Sequence, residues 1–499
     1  MALTSSSKYP PLNDSTAPES AMILKTTPKT GIVHIGLGNF HRAHLALYTA
    51  KAVKASGGNW GIFAYSLRST SIADSMKAQD LLYSIVTISP TSDQIVIPGI
   101  HTEAIGGPDR VGETLDEIEK ASSKIISLTV TEAGYLISQN TGGLDMTSPQ
   151  IAQDLANPTS PVTAIGIIVR GLERRALTHS EPITVMSCDN LSSNGDRTRQ
   201  LTFEFIDALK DSKQLREYVE KKVTFPNSMV DRIVPGTETR HLEMVESRLS
   251  VHDALPVPAE EFSMWILEDN FAAGRPDWET AGAIFSDEVA AYELMKLRLL
   301  NGTHSLLSYF GALADQETIP GARFEAFIED AVRTILTKEL LPTLTMPKAI
   351  TSDSYIEQLF ARWSNTVLGD KTSRVGSDGS TKLPQRITQP VLFHMQAGQI
   401  PQYIALTIAA WLACIAPLRN FNPGIHAKAM KDPAKEILNV LASKTSNSLT
   451  FVESVFTQAN IFSTELTELD DFIACVADYL DQIINEGIKS AALTAQSRS

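Results

Sequence analysis

Residues 31–44 read GIVHIGLGNFHRAH. GIVHI is a short apolar run suited to a strand, and it ends in Gly36-Leu37-Gly38. A helical stretch follows, from about residue 42 to residue 54. Strand, glycine turn and helix, in that order, are what a dinucleotide site needs. Glycine lets the backbone approach a pyrophosphate, and the helix start offers N–H groups and the positive end of its dipole. The third-glycine position of GxGxxG is occupied by His41, and a bare GxG also serves as a plain structural turn. Arg42 is placed either to contact phosphate or to sit on the surface of the first helical turn.

Outward from this turn, similar runs recur at WGIFAYS (60–66), KIISLTVT (124–131) and ITVMS (183–187), with QIVIPGI (94–100) as a further candidate. Short apolar strands spaced by helical segments predict parallel βαβ units. From about Asp287 the pattern changes to long helices over 287–314, 320–341, 352–367, 401–416, 432–443 and 467–488, with loops at GSDGSTKLP and NFNPG. The fold class is therefore α/β, with a mainly α-helical second half. The expected domains are 1–285 and 286–499, with 1–28 a flexible lead-in and 221–270 able to pack with either part.

The chain has 499 residues and a net charge of −14, with 43% hydrophobic and 20% charged residues. That balance is ordinary for a globular protein and lacks the basic footprint of a dedicated nucleic-acid binder. Cys188, Cys414 and Cys475 are the only cysteines; with no CxxC pair, a reducing cytoplasm is expected. The N-terminus has no signal-peptide pattern. The longest apolar run, 404–418, is short of the ~20 residues of a membrane span.

Charge is unevenly placed. From Ser20 to Ala73 there is no Asp or Glu, but there are Lys25, Lys29, Arg42, Lys51, Lys54 and Arg68. An NAD site normally carries an acid after its second strand, for the ribose 2′-hydroxyl. Here that place reads Ser66-Leu67-Arg68-Ser69-Thr70-Ser71. Arg68 stands where an arginine can accept a 2′-phosphate, pack on adenine or remain solvated.

The segment SDEVAAYELMKLRLLNGTHSLL (286–307) is the most informative in the chain. At ~100° per residue, Glu293 lies about 60°, His304 about 80° and Asn301 about 140° from Lys296. A solvated helix face also looks like this, but Asn301-Gly302 in mid-helix is locally unfavourable. A metal-free dehydrogenase needs a base for the hydroxyl proton, and a lysine serves if burial lowers its pKa from ~10.4 toward ~7–8. Amide donors from asparagine can stabilise the developing alkoxide.

These segments resemble the polyol-specific long-chain dehydrogenases, the group of mannitol 2-dehydrogenase and fructuronate reductase. The resemblance runs over about 31–490, through HIGLGNFHRAH (34–44), SLTVTEAGY (127–135), TVMSCDNLSSNG (184–195), FPNSMVDRIVP (225–235), WILEDNFAAGRPDWE (265–279), KLRLLNGTH (296–304) and SDGSTKLP (377–384). The resemblance implies an extended Rossmann-type domain followed by a helical one, working without metal. It makes Lys296 the general base and pairs Asn190 with Asn301 on the reacting oxygen. His304 becomes a substrate-hydroxyl ligand, with Asp231, Arg374 and Lys382 as further substrate contacts. Glu293 is placed to relay protons or tune the lysine. Gly36, Gly38, Phe40 and Arg42 belong to the cofactor turn, with Glu132 near the nicotinamide end. The implied cofactor is NAD. NADP stays open, because Thr70 and Ser71 stand where NAD-preferring relatives can carry acids. The implied reaction interconverts D-mannitol and D-fructose. Fructuronate or tagaturonate reduction and D-arabinitol oxidation are the alternatives within the family. A polyol or ketose is the expected partner, with no nucleic acid or membrane, and a monomer suffices.

Competing motifs are weaker. Tyr218-x-x-x-Lys222 matches the short-chain dehydrogenase YxxxK, but it lies in a charged helix, QLREYVEKK, and reads as a solvated face. His41 and His44 have helical spacing for a metal but no visible third ligand. Cys188 has no basic neighbour to activate it. A non-catalytic sugar or cofactor sensor would have lost one of Lys296, Asn190, Asn301 or His304, and all four are present.

Overall fold

Ile32, Val33 and Ile35 suit a pleated, buried strand, and in the computed structural model they form the strand Thr30–Ile35 at the centre of a parallel sheet. The structure describes residues 7–90, 92–138 and 141–499. It divides into two units, Met1–Ala290 and Ala291–Ser499, so the division falls within the helix Val289–Met295. Residues 221–270 belong to the first unit.

The central sheet of the first unit has six strands, in the spatial order His101–Gly106, Gly61–Ser66, Thr30–Ile35, Ile125–Leu128, Ile183–Ser187 and Val223–Thr224. All neighbours run parallel. Side chains alternate between two cores. Val33, Ile35, Phe63, Tyr65, Ile126 and Leu128 join one cluster, with residues of the helices Val111–Glu119 and Ala164–Thr178. Ile32, Ile62, Ala64, Ile125 and Met186 join the other, with residues of the helix Leu45–Ser56. Helices cover both faces, as a parallel sheet requires. The run at 94–100 supplies only the short strand Ile95–Val96.

The lead-in is not loose over its described part. Leu12 N donates to His252 O and His252 N to Pro10 O, both at 2.8 Å, and Leu12, Ala21 and Leu24 are buried. Tertiary burial overrides a composition that reads as disorder. The helix expected over 42–54 begins at Asn39 and breaks at His44 into Asn39–Ala43 and Leu45–Ser56.

The second unit is built around the helix Gln402–Ile415, in which every residue from Tyr403 to Ile415 is buried. The helices Thr303–Leu313, Asp470–Glu486 and Ile488–Arg498 pack on it. GSDGSTKLP is a loop only at its start. A helix begins at Gly379 and runs to Gln396, with Pro384 and Pro390 inside it. Packing of its apolar face through Leu383, Ile387 and Val391 outweighs the proline penalty there. Among the described residues, no helix is long and apolar enough to cross a membrane.

The start of the central helix is tied down by Glu339. Its buried carboxylate accepts from Tyr403 N and Ile404 N, each at 2.8 Å. Burial raises its pKa to about 7, against the opposing pull of these backbone donors. A folded pKa above the unfolded value means the native state holds the proton longer, so stability falls as pH rises from about 4.5 to about 7. The stability advantage of the wild type over Glu339→Gln should therefore be largest near pH 5 and shrink toward pH 7 in urea unfolding. An advantage that grows with pH would contradict this assignment.

Candidate active site

The glycine turn has two different glycines. Gly36 adopts φ +111°, and a Cβ there would lie 2.0 Å from Thr129 O. Its N–H donates to Tyr65 O at 2.8 Å and its carbonyl accepts from Thr129 Oγ1 at 2.7 Å. The sheet itself demands glycine here. Gly38 is not so constrained: its φ is −111° and the nearest atom to a Cβ would be Gly36 O at 3.9 Å. Open space at a glycine just before a helix fits close approach of a ligand to the backbone.

Beneath the turn lies a buried group of histidines. His34 bridges Ser127 Oγ (2.8 Å) and Thr129 Oγ1 (2.9 Å) and stacks on His41 at 3.5 Å between ring centroids. His41 Nε2 faces His101 Nε2 at 3.0 Å. Burial pushes His34 and His101 down to about 3 and His41 well below its usual value, so all three are neutral near pH 7. Arg42 is also buried. Its guanidinium donates to Leu255 O (2.8 Å) and Asn39 Oδ1 (2.6 Å) and lies over the Tyr83 ring. That is an internal clamp, not a helix-surface position. Phe40 is half-buried and stacks on His44.

The remaining first-unit candidates stand beyond the C-terminal ends of neighbouring strands. Gly36 follows Thr30–Ile35, exposed Arg68 follows Gly61–Ser66, exposed Glu132 follows Ile125–Leu128 and exposed Asn190 follows Ile183–Ser187. This edge is where ligands bind in open parallel sheets, at the point where strand order reverses. Thr70 and Ser71 are exposed at the start of the helix Ser71–Ala78, with Ser69 Oγ 3.1 Å from Ser71 Oγ. Asp231 is buried at the end of the strand Ser228–Asp231.

Sequence reading overlooked Asp189. Its carboxylate accepts from Val130 N (3.0 Å), Thr131 N (2.9 Å) and Tyr135 Oη (2.9 Å). It holds Thr131 at φ +68°, a costly conformation for a β-branched residue, and so fixes the turn that presents Glu132. Its own neighbour in the chain is Asn190. The one available signal was an acid beside Asn190 at a strand end. The YxxxK tyrosine, Tyr218, is buried and accepts from Arg175 Nε (3.1 Å) while donating to Glu181 O (2.7 Å). It is a structural tyrosine, not part of a solvated face.

In the second unit the lysine helix is not α-helical throughout. Val289–Met295 is α-helix, Lys296–Gly302 is π-helix, and α-helix resumes at Thr303. Bonding from i to i+5 widens the turn, and such turns concentrate at functional sites. It brings Asn301 far nearer the azimuth of Lys296 than the ~140° expected of an α-helix. Lys296 is 7% exposed. Glu293, Asn301 and His304 are half-buried, with His304 beside the Trp363 ring at 5.8 Å. Arg374 is exposed and ion-paired with Asp370. Lys382 donates to Ser377 O (2.7 Å) and faces Asp378 (3.7 Å), and burial holds its pKa below the usual lysine value.

A six-stranded parallel sheet with a glycine turn at its switch point, joined to a helical unit bearing a buried lysine, defines a dinucleotide-dependent dehydrogenase architecture. The family models for the mannitol dehydrogenase Rossmann domain and C-terminal domain match residues 30–280 and 288–484. The chain belongs to the mannitol dehydrogenase family of polyol oxidoreductases. It is 35% identical to the D-mannonate oxidoreductase of Escherichia coli, over 92% of this chain and 94% of that protein. It is 32% identical to a mannitol 2-dehydrogenase of Phaeosphaeria nodorum, over 93% and 80%. Among solved structures it resembles Pseudomonas fluorescens mannitol 2-dehydrogenase in ternary complex with NAD and D-mannitol. There the TM-score is 0.83 and the identity 30%, covering 98% of this chain and all of that one.

The two glycines should separate in experiment. Gly36→Ala should cost more than about 2 kcal/mol in urea unfolding of the first unit, from steric clash and strain. Gly38→Ala should leave unfolding unchanged but weaken NADH binding about tenfold or more, as followed by fluorescence titration. Equal effects from both would remove the distinction.

Proposed function

We propose that the protein oxidises and reduces a secondary carbinol of a linear sugar chain with NAD, with Lys296 as the base. NAD, when bound, supplies the acceptor and donor of hydride. Gly36, Gly38 and the strand-end residues Arg68 and Glu132 would hold it. Lys296 Nζ takes the carbinol proton in oxidation and returns it in reduction. The Asn190 and Asn301 amides donate to the reacting oxygen as it gains charge, which lowers the barrier in either direction. His304, Asp231, Arg374 and Lys382 hold the other hydroxyls, and Glu293 passes the lysine proton onward. The observation that carries this reading is a buried lysine opening a π-helical turn whose sixth residue is Asn301.

D-mannitol and D-fructose are the neutral pair that the sequence resemblance supports, with a cytoplasmic monomer as the working form. A second reading, reduction of a uronate such as fructuronate, is favoured by the relative named D-mannonate oxidoreductase. The acid-free loop at Thr70 and Ser71 keeps NADP within reach of the same site.

Lys296→Ala should lower kcat by about 10³-fold, within the usual range for a lost general base, while NADH binding is kept. Wild-type protein should be assayed with mannitol, arabinitol, sorbitol, fructose, fructuronate and tagaturonate, each with NAD(H) and NADP(H). No turnover on any member of the panel would defeat the reading, as would a Lys296→Ala variant of undiminished kcat.

A further inference from the structure

Arg386 is a cation without an acid. Arg323 and Arg333 pair with Glu329, Arg374 with Asp370, Arg419 with Asp481 and Arg498 with Asp478. Arg386, half-buried on the helix Gly379–Gln396, has no carboxylate within ion-pair distance among the described residues. Its one hydrogen bond among the described residues is from Nη1 to Ser305 Oγ, at 2.9 Å. Burial lowers its pKa to about 10. A guanidinium has five N–H donors in a fixed fork matched to a carboxylate. Here Nε and Nη2 have no protein partner among the described residues and are not sealed from solvent, so the fork is open to an anion.

Its position ties it to the lysine helix. Ser305 directly follows His304, and its hydroxyl donates to Asn301 O at 3.5 Å. Asn301, Ser305 and Tyr309 occupy successive i, i+4 places, so Arg386 rests on the row that begins at Asn301. Lys382 lies one turn earlier on the arginine's own helix. Asp378 and Asp370 accompany Lys382 and Arg374, which leaves Arg386 as the uncompensated charge of the three.

We propose that Arg386 sets specificity by pairing with a carboxylate at the end of the substrate chain, so that an acid-terminated keto sugar is taken in preference to the neutral ketose. This rests on the reading of Lys296–His304 as the reaction site. The carboxylate is bound and not transformed, and the hydride and proton go to the ketone as in the neutral reaction.

The test is steady-state reduction of D-fructuronate and D-fructose by wild type, Arg386→Met and Arg386→Lys, with melting temperatures recorded. The wild type should favour fructuronate. Arg386→Met should cut the fructuronate-to-fructose ratio of kcat/KM about 100-fold, chiefly through KM, and Arg386→Lys should restore part of it. If both substrates suffer equally, Arg386 is only a clamp between helices and the proposal fails. It also fails if the ratio is unmoved, or if wild type reduces fructose but not fructuronate, in which case the Lys296 reading stands. Should wild type reduce neither with NADH or NADPH, the underlying reading falls as well. If Arg386→Met does not fold, wild type alone decides. D-mannonate should inhibit at least about tenfold more tightly than D-mannitol, and equal inhibition overturns the assignment.

Discussion

Everything in the first unit follows from how closely the chain passes itself at Gly36. The central strand and its neighbour are so near at this point that Thr129 O occupies the space a side chain would need. Only glycine lets the first strand end there, turn, and start a helix over the sheet edge. That single approach aligns the ends of the adjacent strands. The residues after each strand, at 68, 132 and 190, therefore share one edge. A two-residue change of register would send them to different heights.

The second unit solves a different problem. A long helix must place a cation and an amide on one side without leaving either in solvent. An α-helix of the same sequence would turn Asn301 away from Lys296. Inserting the wider turn changes the spacing instead of the residues. Gly302 closes it, at a place where a Cβ would meet nothing nearer than Leu340 Cδ1 at 3.4 Å. The Asn-Gly pair thus falls inside a helix type that propensity scales do not describe.

Much of this was legible in the sequence because the signals were periodic or local. Apolar strands expected at 31–35, 60–66 and 183–187 and a buried helix expected at 401–416 are strong patterns, and the structure has Thr30–Ile35, Gly61–Ser66, Ile183–Ser187 and Gln402–Ile415. What escaped depended on partners far along the chain. Leu12 is ordered by His252, 240 places away. Pro384 lies in a helix because of what that helix packs against. Asp189 matters through backbone groups some 60 residues earlier. By position Arg42 reads either as a phosphate contact or as a surface residue of the first helical turn; its bonds to Leu255 O and Asn39 Oδ1 are announced by no local motif. Unlike Lys382 and Arg374, Arg386 has no acid opposite it among the described residues, and an absent partner has no sequence signature.

The stacked histidines under the glycine turn make the first unit a proton-sensitive foundation. Each imidazole is held neutral by its surroundings, but in an unfolded chain each would take up a proton below about pH 6.5. Acid therefore draws this unit toward the unfolded state over the range from about 6.5 down to about 3. Glu339 biases the helical unit the opposite way over its upper part. Mild acidification consequently loads the two halves of one chain with opposing thermodynamic slopes, and the half that weakens is the one carrying the dinucleotide turn.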